Sequence, residues 1–259
     1  MVDTEKAATL LIAARRDGAR IDALPAGAEP ATLDDAYAIQ DAIIDRIDAP
    51  LAGWKVALTN EEAQRRAKAD EPAAGPLFAP FIHMSPNVID RDPDCVSGFE
   101  CEFAVQLAAD LPASGAPYDA DSVAVAVASL HPAIEVTGIR LGNRATLGVL
   151  GTITDHAGNF SLVCGPEVEN WRGLDLPACT VRHLVDGDEI AASDGANVLG
   201  NPLNALAWLA NHLAGRGHEL KAGQWITTGA ATGPLPAPVG STVTADFADL
   251  GTVEVRFQG

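Results

Sequence analysis

A segment in the middle of the chain alternates apolar and polar residues with a period of two, which is the pattern of a β-strand with one buried face. In residues 99–107, FECEFAVQL, the odd-numbered positions from Phe99 to Leu107 form the apolar face, whereas Glu100 and Glu102 share the other face. Residues two apart on a strand lie about 6.5 Å apart. The two carboxylates therefore converge on a small volume, where their repulsion requires bound protons or a cation.

A second alternating segment supplies a third carboxylate. In residues 131–139, HPAIEVTGI, Glu135 faces opposite to Ile134 and Val136. Mg²⁺ and Mn²⁺ prefer octahedral coordination by oxygen, so these three glutamates are candidate ligands of a hard divalent ion. A Glu-x-Glu pair is also common on the solvent face of a strand, and periodicity alone does not decide between the two interpretations.

Helical periodicity predicts several amphipathic helices. Thr32 with Asp35 forms a capping pair at the start of one of them, and Asn201 followed by Pro202 indicates the start of another. The predicted helices are residues 4–17, a helix from Thr32, residues 61–69, the alanine-rich residues 122–130, and a helix from Asn201.

Short strands separated by turn signals dominate the rest of the chain and are typical of antiparallel hairpins. The predicted strands are residues 53–59, 160–163, 179–185, 189–193, 224–228, 242–247 and 252–257. Residues 229–233, GAATG, are predicted as a loop of small residues that allows a ligand to approach the backbone closely. The same residues would also suit a tight turn.

Composition narrows the function. The chain has 259 residues, 47% of them hydrophobic, with 17 basic against 35 acidic residues and a net charge of −18. This charge argues against a nucleic-acid or anionic-membrane partner and requires a local cationic pocket for any anionic substrate. Four cysteines without a C-x-x-C pair, no signal-peptide pattern and no long apolar run lead us to expect a cytoplasmic protein with reduced thiols.

Several motifs occur together and in order. They are GWKVALTN at 53–60, GPLFAP at 75–80, Glu100-x-Glu102 followed by PAIEVTGIR, and VLGNPLNALAWLANHLA at 198–214. With these motifs the chain resembles the hydratase and decarboxylase branch of the fumarylacetoacetate hydrolase superfamily, from LDDAYAIQ at 33–40 to the terminal GTVEVRF. The resemblance implies an α+β fold, a mixed β-sheet roll with an N-terminal helical portion. We expect a single structural unit over residues 1–259, mainly helical over 1–70 and β-rich over 71–259.

The resemblance also assigns roles to individual residues. It implies Mg²⁺ or Mn²⁺ bound by Glu100, Glu102 and Glu135, catalytic roles for Lys55 and Asp155, and substrate contacts from Arg140, Leu77, Phe78, Thr228 and Gly229. His156 is a further catalytic candidate, although the family has a different residue at this position. The residues alone leave other interpretations open. Lys55 could extend along a strand edge to solvent, Arg140 could form a surface ion pair, and His156 could make only a local hydrogen bond in its loop.

The chain departs from the family pattern at three positions. Ala73 occupies the place of a catalytic loop aspartate, and His156 and Gly158 replace an asparagine and a serine. Alanine cannot accept a proton, whereas an imidazole exchanges protons near neutral pH, so His156 is a hypothetical replacement for the missing acid/base group. These departures affect the expected chemistry more than the expected metal site.

The activity that the resemblance implies is a metal-dependent hydratase acting on a small 2-oxo or 2-hydroxydienoate acid. The alternatives are a decarboxylase of the 4-oxalocrotonate type, an acylpyruvate C–C hydrolase, and a catalytically impaired partner subunit. By analogy we also expect a homo-oligomer, which could associate with a related enzyme of the same pathway.

Overall fold

The computed structural model describes residues 2–259 and has an α+β fold with two β-sheets. Its α-helices are α1 (Thr4–Asp17), α2 (Leu33–Arg46), α3 (Glu61–Ala67), α4 (Ala120–Ala124), α5 (Arg144–Leu147), α6 (Val149–Thr154) and α7 (Pro202–Gly215). Its strands are β1 (Leu51–Ala57), β2 (Ala73–Phe78), β3 (Ile82–Met84), β4 (Asn87–Ile89), β5 (Val96–Leu107), β6 (Val127–Gly138), β7 (Asn159–Cys164), β8 (Thr180–Val185), β9 (Asp188–Asp194), β10 (Trp225–Leu235), β11 (Thr242–Asp246) and β12 (Thr252–Phe257).

The helix boundaries follow local capping chemistry. The Thr32 side chain accepts a hydrogen bond from the Asp35 backbone N–H, and Asp35 bonds back to Thr32, so the predicted capping box is confirmed. Asn201 likewise accepts from the backbone N–H of Leu203 at the start of α7, as predicted. None of the helices in residues 2–259 combines the length and the apolar character needed to cross a membrane.

The larger sheet is mixed and has seven strands in the order β2-β1-β10-β5-β6-β7-β3. The pairs β1/β10 and β3/β7 are parallel, and the other neighbours are antiparallel. Strands β10, β5 and β6 lie at its centre, so side chains from three chain segments meet on each face. The smaller sheet has five strands in the order β4-β12-β11-β8-β9.

The predicted apolar face of β5 is confirmed as the contact between the two sheets. Phe99 lies edge-on to Phe257 of β12 at 5.5 Å between ring centroids, and Phe103 lies edge-on to Phe247 at 5.0 Å. Such T-shaped aromatic pairs add to the stability that burial provides. Because side chains alternate along a strand, this packing directs Glu100 and Glu102 to the opposite face of the larger sheet.

Two segments differ from the sequence-based prediction. Residues 122–130 were predicted as a helix, but α4 ends at Ala124 and β6 begins at Val127. Pairing with the long strand β5 outweighs the helix propensity of alanine there. Residues 229–233 were predicted as a loop, whereas β10 continues to Leu235 through several register shifts against β5. These bulges accommodate the small residues without ending the strand.

Candidate active site

The three predicted metal ligands meet in the structure. Strand pairing places Glu100 directly opposite Glu135, and Glu102 lies two residues further along β5. Each of the three side chains offers a carboxylate oxygen, and these oxygens all lie within 4.8 Å of one another. Glu102 and Glu135 are fully buried, and Glu100 is half-buried. The sheet therefore concentrates three acidic groups at the edge of solvent, as the alternating pattern predicted.

Glu102 is held by the neighbouring strand. Its Oε2 accepts a hydrogen bond of 2.9 Å from the backbone N–H of Gly229 on β10. Its Oε1 is buried without a hydrogen-bond partner among residues 2–259. Burial, followed by the nearby Glu135 carboxylate, raises the pKa of Glu102 well above its usual value. An unpartnered, buried acceptor of this kind is what a cation would satisfy.

Lys55 lies on β1 and reaches the same point. Its side chain is 2% exposed, its Nζ donates a hydrogen bond to Glu135 Oε2, and it lies 3.6 Å from Glu100 Oε2. Burial would lower the pKa of Lys55, but the carboxylates of Glu135, Glu100 and Glu102 outweigh it and raise the pKa. The side chain therefore does not extend to solvent, and the ammonium group carries its charge inside the site.

The charges of the cluster do not balance. One ammonium group faces three carboxylates, and burial raises the pKa of Glu135 to about 7, despite the opposing effect of Lys55. The cluster therefore either holds protons or needs further positive charge. Three converging carboxylates with an unpartnered oxygen match the ligand preferences of a hard divalent cation, so the residues present fit the implied metal.

Asn159 is a site residue that the sequence analysis missed. Its Nδ2 donates a hydrogen bond of 2.8 Å to Glu135 Oε1. The buried Arg15 of α1 holds this part of β7, because its Nη1 donates to the carbonyl of Asn159 and its Nη2 to that of Phe160, each at 2.9 Å. Arg15 stands in the last turn of an amphipathic helix, where a surface position is the usual expectation, so the sequence carries no signal for this contact.

A cavity of about 950 Å³ opens at Lys55 and Glu100. Its other polar walls come from α3 and from loops near α5 and α7. The polar side chains that line it include Asn60, Glu61, Glu62, Arg66, Arg144 and Asn197. The cluster of carboxylates thus lies at the wall of a space that is large enough for a small organic acid.

Arg140, predicted to bind substrate, and Asp155, predicted to be catalytic, form a buried ion pair. Arg140 Nε donates to Asp155 Oδ1 at 2.7 Å, and the backbone N–H groups of Arg140 and Leu141 donate to Asp155 Oδ2. Both side chains are buried, and neither belongs to the cavity wall in the described part of the chain. The pair secures the chain after β6, and Arg140 Nη1 is buried without a hydrogen-bond partner among residues 2–259. The substrate-binding role of Arg140 and the catalytic role of Asp155 stay predictions.

His156, Leu77 and Phe78 are also buried behind the cavity wall. His156 is fully buried, with its Nδ1 at 3.4 Å from Arg15 Nη1. Burial, with Arg140 and Arg15 nearby, lowers its pKa well below the usual value, so the ring stays neutral. Leu77 and Phe78 are buried in two separate hydrophobic clusters. None of the three residues lines the cavity in the described part of the chain, and the roles expected of them stay predictions.

Thr228 and Gly229 of β10 form hydrogen bonds to β5, the strand that carries Glu100 and Glu102. Thr228 Oγ1 donates to the Phe103 carbonyl, and Gly229 donates to Glu102. Gly229 has φ of 101°, and a Cβ there would lie 2.3 Å from Thr59 Oγ1, so the position requires glycine. Ala230 and Gly233, further along the strand, line the cavity.

Ala73, which stands where the family pattern has an aspartate, lies in the larger sheet. This residue is fully buried in β2 and pairs with Ala57 of β1, so it is part of the sheet. The nearest acidic groups in sequence do not replace the missing aspartate: Asp70 is exposed, and Glu71 Oε2 accepts a hydrogen bond of 3.4 Å from Trp208 Nε1.

Comparison with known proteins agrees with this geometry. The family model described as fumarylacetoacetate (FAA) hydrolase C-terminal matches residues 58–258. The chain belongs to the fumarylacetoacetate hydrolase family. The resemblance inferred from the sequence motifs is therefore confirmed, and with it the α+β fold.

Relatives within the family carry lyase names. The chain is 32% identical over 262 residues to 2-keto-4-pentenoate hydratase 1 of Dechloromonas aromatica, covering 99% of this chain and 98% of that protein. It is 31% identical over 234 residues to 2-oxo-hept-4-ene-1,7-dioate hydratase of Escherichia coli, covering 87% of each chain. Among solved structures, 4-oxalocrotonate decarboxylase from Pseudomonas putida G7, complexed with magnesium and adipate, superposes with a TM-score of 0.89 at 27% identity, covering 98% of this chain and 97% of that one.

Proposed function

We propose that this protein is a divalent-metal-dependent hydratase that adds water to a 2-hydroxy-2,4-dienoate or its 2-oxo-enoate tautomer. The oxygen of water ends on C4 and the product is a 4-hydroxy-2-oxo acid. The observation that carries the proposal is the cluster of Glu100, Glu102 and Glu135 beside the buried ammonium of Lys55, at the wall of a cavity. The hydratase names of the relatives support the same reaction class.

The three glutamates would hold the ion, and Mg²⁺ or Mn²⁺ is the expected metal because every candidate ligand is a carboxylate. The complex of the related decarboxylase with magnesium supports a divalent ion. Such an ion supplies a Lewis acid beside the 2-oxo group, where negative charge develops during enolisation. Gly229 and Asn159 orient Glu102 and Glu135 through their hydrogen bonds.

Lys55 contributes the protein's own positive charge. Its Nζ lies against Glu135 and Glu100, so an oxygen atom of the substrate bound at the carboxylate cluster would lie close to it. An ammonium in a buried site stabilises a developing oxyanion more strongly than it would in water. Lys55 Nζ donates a hydrogen bond to the Glu135 carboxylate, and the ammonium could also donate a proton to that substrate oxygen and take it back.

A decarboxylase of the 4-oxalocrotonate type is the second candidate. The buried Ala73 favours it, because loss of CO₂ needs the same electron sink but no base to activate water. The structural similarity to the Pseudomonas putida enzyme points in the same direction.

Hydration would need another group in place of the missing aspartate. Within the cavity, Glu61 and Glu62 of α3 are the acidic side chains outside the carboxylate cluster that could take that place.

A panel assay separates these reactions. Purified protein with Mg²⁺ or Mn²⁺ would be given a 2-hydroxydienoate, an oxalocrotonate and an acylpyruvate, with loss of the dienol followed by ultraviolet absorbance and products identified by mass spectrometry. A hydrated 4-hydroxy-2-oxo acid supports the hydratase, CO₂ release supports the decarboxylase, and two acid fragments support C–C hydrolysis. Tight binding of oxalate without any turnover would overturn all three and favour an impaired partner subunit.

Three further expectations stay predictions: a homo-oligomer, association with a related enzyme of the same pathway, and a cytoplasmic location. Light scattering of the purified protein would give the number of subunits.

A further inference from the structure

Arg144 is a cation in the cavity wall that the proposed reaction does not use. Its Nη1 donates a hydrogen bond of 3.0 Å to the Gly138 carbonyl and lies 3.6 Å from Asp155 Oδ2, and its side chain is 22% exposed. Its Nε and Nη2 make no hydrogen bond to the described residues 2–259. The guanidinium group is thus anchored at one nitrogen, and the rest of its donors are available to a ligand.

Arg144 lies at some distance from the carboxylate cluster. Gly138, to which it is anchored, follows Glu135 by three residues on β6, which corresponds to about 10 Å along the strand. Between them the cavity wall carries the hydroxyl groups of Ser97 and Thr137, which are joined by a hydrogen bond of 2.9 Å. A polar surface therefore connects the carboxylate cluster with the guanidinium group.

The glycine at position 158 leaves the space for this arrangement. Gly158 has φ of 82°, and a Cβ at this position would lie 3.1 Å from Arg144 Nη1. A larger side chain would therefore require the guanidinium group to move by a few tenths of an ångström. The glycine at this position lets Arg144 pack closely against the chain.

We propose that Arg144 forms a second anion-binding subsite, which recognises the terminal carboxylate of a dicarboxylic substrate whose 2-oxo acid end binds at Glu100, Glu102 and Glu135. This rests on the proposed function, which supplies the binding mode of the 2-oxo acid end. A planar guanidinium with free donors binds a carboxylate through two parallel hydrogen bonds. In a chain with a net charge of −18, such a local cation is needed to attract a dianion.

Arg66 also lines the cavity, but it stands on an exposed face of α3. An exposed arginine loses more side-chain entropy when it is fixed in one geometry. Water and salt also screen its attraction to a carboxylate. Arg144 has its guanidinium fixed by the Gly138 carbonyl and is mostly buried. Binding of the terminal carboxylate by Arg66 is therefore the competing outcome, and the test includes it.

The test measures binding of two inert ligands to the Mn²⁺-loaded protein by calorimetry. 2-Oxoadipate and 2-oxohexanoate have the same 2-oxo acid end and differ only in the terminal carboxylate. We expect the natural protein to bind 2-oxoadipate more tightly by about 10- to 100-fold. Arg144→Met should abolish this preference and leave 2-oxohexanoate binding unchanged, whereas Arg65→Met, a neighbouring exposed arginine outside the cavity wall, should retain it.

Three results would overturn the proposal: equal binding of both ligands by the natural protein, loss of the preference in Arg66→Met alone, or equal weakening of both ligands in Arg144→Met. If Arg144→Met does not fold, the same binding measurement on Arg144→Lys tests the proposal. A lysine keeps the positive charge but cannot form the two parallel hydrogen bonds. The proposal then requires a reduced but measurable preference, and an unchanged or absent preference contradicts it. Neither ligand carries a dienol, so failure of the hydratase assay leaves this measurement interpretable.

Discussion

Glu100 and Glu135 lie directly opposite each other on the antiparallel strands β5 and β6. Like charges in this cross-strand position destabilise a sheet, and here a third carboxylate, Glu102, lies within reach of both. Retaining this repulsion in the larger sheet costs stability, and such a cost is usual where a protein keeps a functional site. The first predictions follow from that conflict.

Glu102→Gln should stabilise the metal-free protein and weaken metal binding. The amide oxygen can still accept from the Gly229 N–H, while the amide nitrogen removes one negative charge from the cluster. At pH 8 we expect the free energy of unfolding without metal to rise by about 1 kcal/mol, and Mn²⁺ affinity to fall at least about 100-fold. Chemical denaturation in a chelating buffer and calorimetry measure the two effects.

Glu189→Gln is the matched control for this substitution, because Glu189 is exposed on β9. It should change neither quantity. A Glu102→Gln variant that loses stability without metal, or that binds Mn²⁺ as tightly as the natural protein, would contradict the assignment of Glu102 as a ligand.

Lys55→Met should separate catalysis from metal binding. The substitution removes the ammonium beside Glu135 and Glu100 but leaves all three carboxylates in place. We expect kcat to fall by about 10² to 10⁴-fold, since Lys55 supplies both charge and proton. Mn²⁺ binding should be retained or tighter because a competing cation is gone. Lys6→Met, on the exposed side of α1, should behave like the natural protein.

Loss of Mn²⁺ binding in Lys55→Met, with the fold intact by circular dichroism, would show that the lysine is needed to shape the metal site. Unchanged kcat would remove Lys55 from the mechanism. The two readouts therefore test different roles of the same residue.

The stability of the metal-free protein should fall as the pH rises. The pKa of Glu135 is about 7 in the folded protein because of burial, above its ordinary value of 4.5. The folded state therefore holds a proton that the unfolded state releases, so this contribution is complete below about pH 4.5 and is lost as the pH passes about 7. We expect a loss on the order of 2 kcal/mol between pH 5 and pH 8.

Glu135→Gln isolates this effect, because the amide does not titrate. The difference in Tm between the natural protein and this variant should shift steadily from pH 5 to pH 8 in the presence of a chelator. Parallel pH profiles of the two proteins would be inconsistent with a raised pKa at Glu135.

Asn159→Ala should weaken metal binding without touching a ligand. Asn159 orients Glu135 through one hydrogen bond of 2.8 Å, and a partner of this kind typically contributes 10- to 100-fold to metal affinity, so we expect a loss of about that size. Ser161→Ala, two residues further along β7, is the control. Equal Mn²⁺ affinity in the two variants would show that the hydrogen bond does not matter for binding.

Local patterns were enough to predict the convergence of Glu100, Glu102 and Glu135 and much of the fold. Alternation identified both faces of β5, and capping residues predicted the starts of α2 and α7. Residues 122–130 were predicted wrongly because alanine fits both a helix and a strand, and pairing with β5 decides the outcome. Local sequence contains no information about such a partner.

The side chains around the cavity were harder to predict for the same reason. Arg140 and Arg144 both follow β6, and only the three-dimensional structure shows that the first contacts Asp155 while the second faces the cavity. Arg15 and Asn159 are separated by 144 residues in sequence, so no spacing rule connects them. Motif resemblance places residues near a site but does not determine where their side chains point.

His156→Asn should leave catalysis nearly unchanged. His156 has φ of 55°, a left-handed conformation that asparagine adopts more readily than most residues, so the backbone should tolerate the substitution. The neutral ring is buried against Arg15 and lies outside the cavity wall as the described residues define it. We expect kcat within about twofold of the natural protein and a loss of about 1 kcal/mol in the free energy of unfolding. A fall in kcat as large as that of Lys55→Met, with normal Mn²⁺ binding, would return His156 to the mechanism as the acid/base group that replaces the missing aspartate.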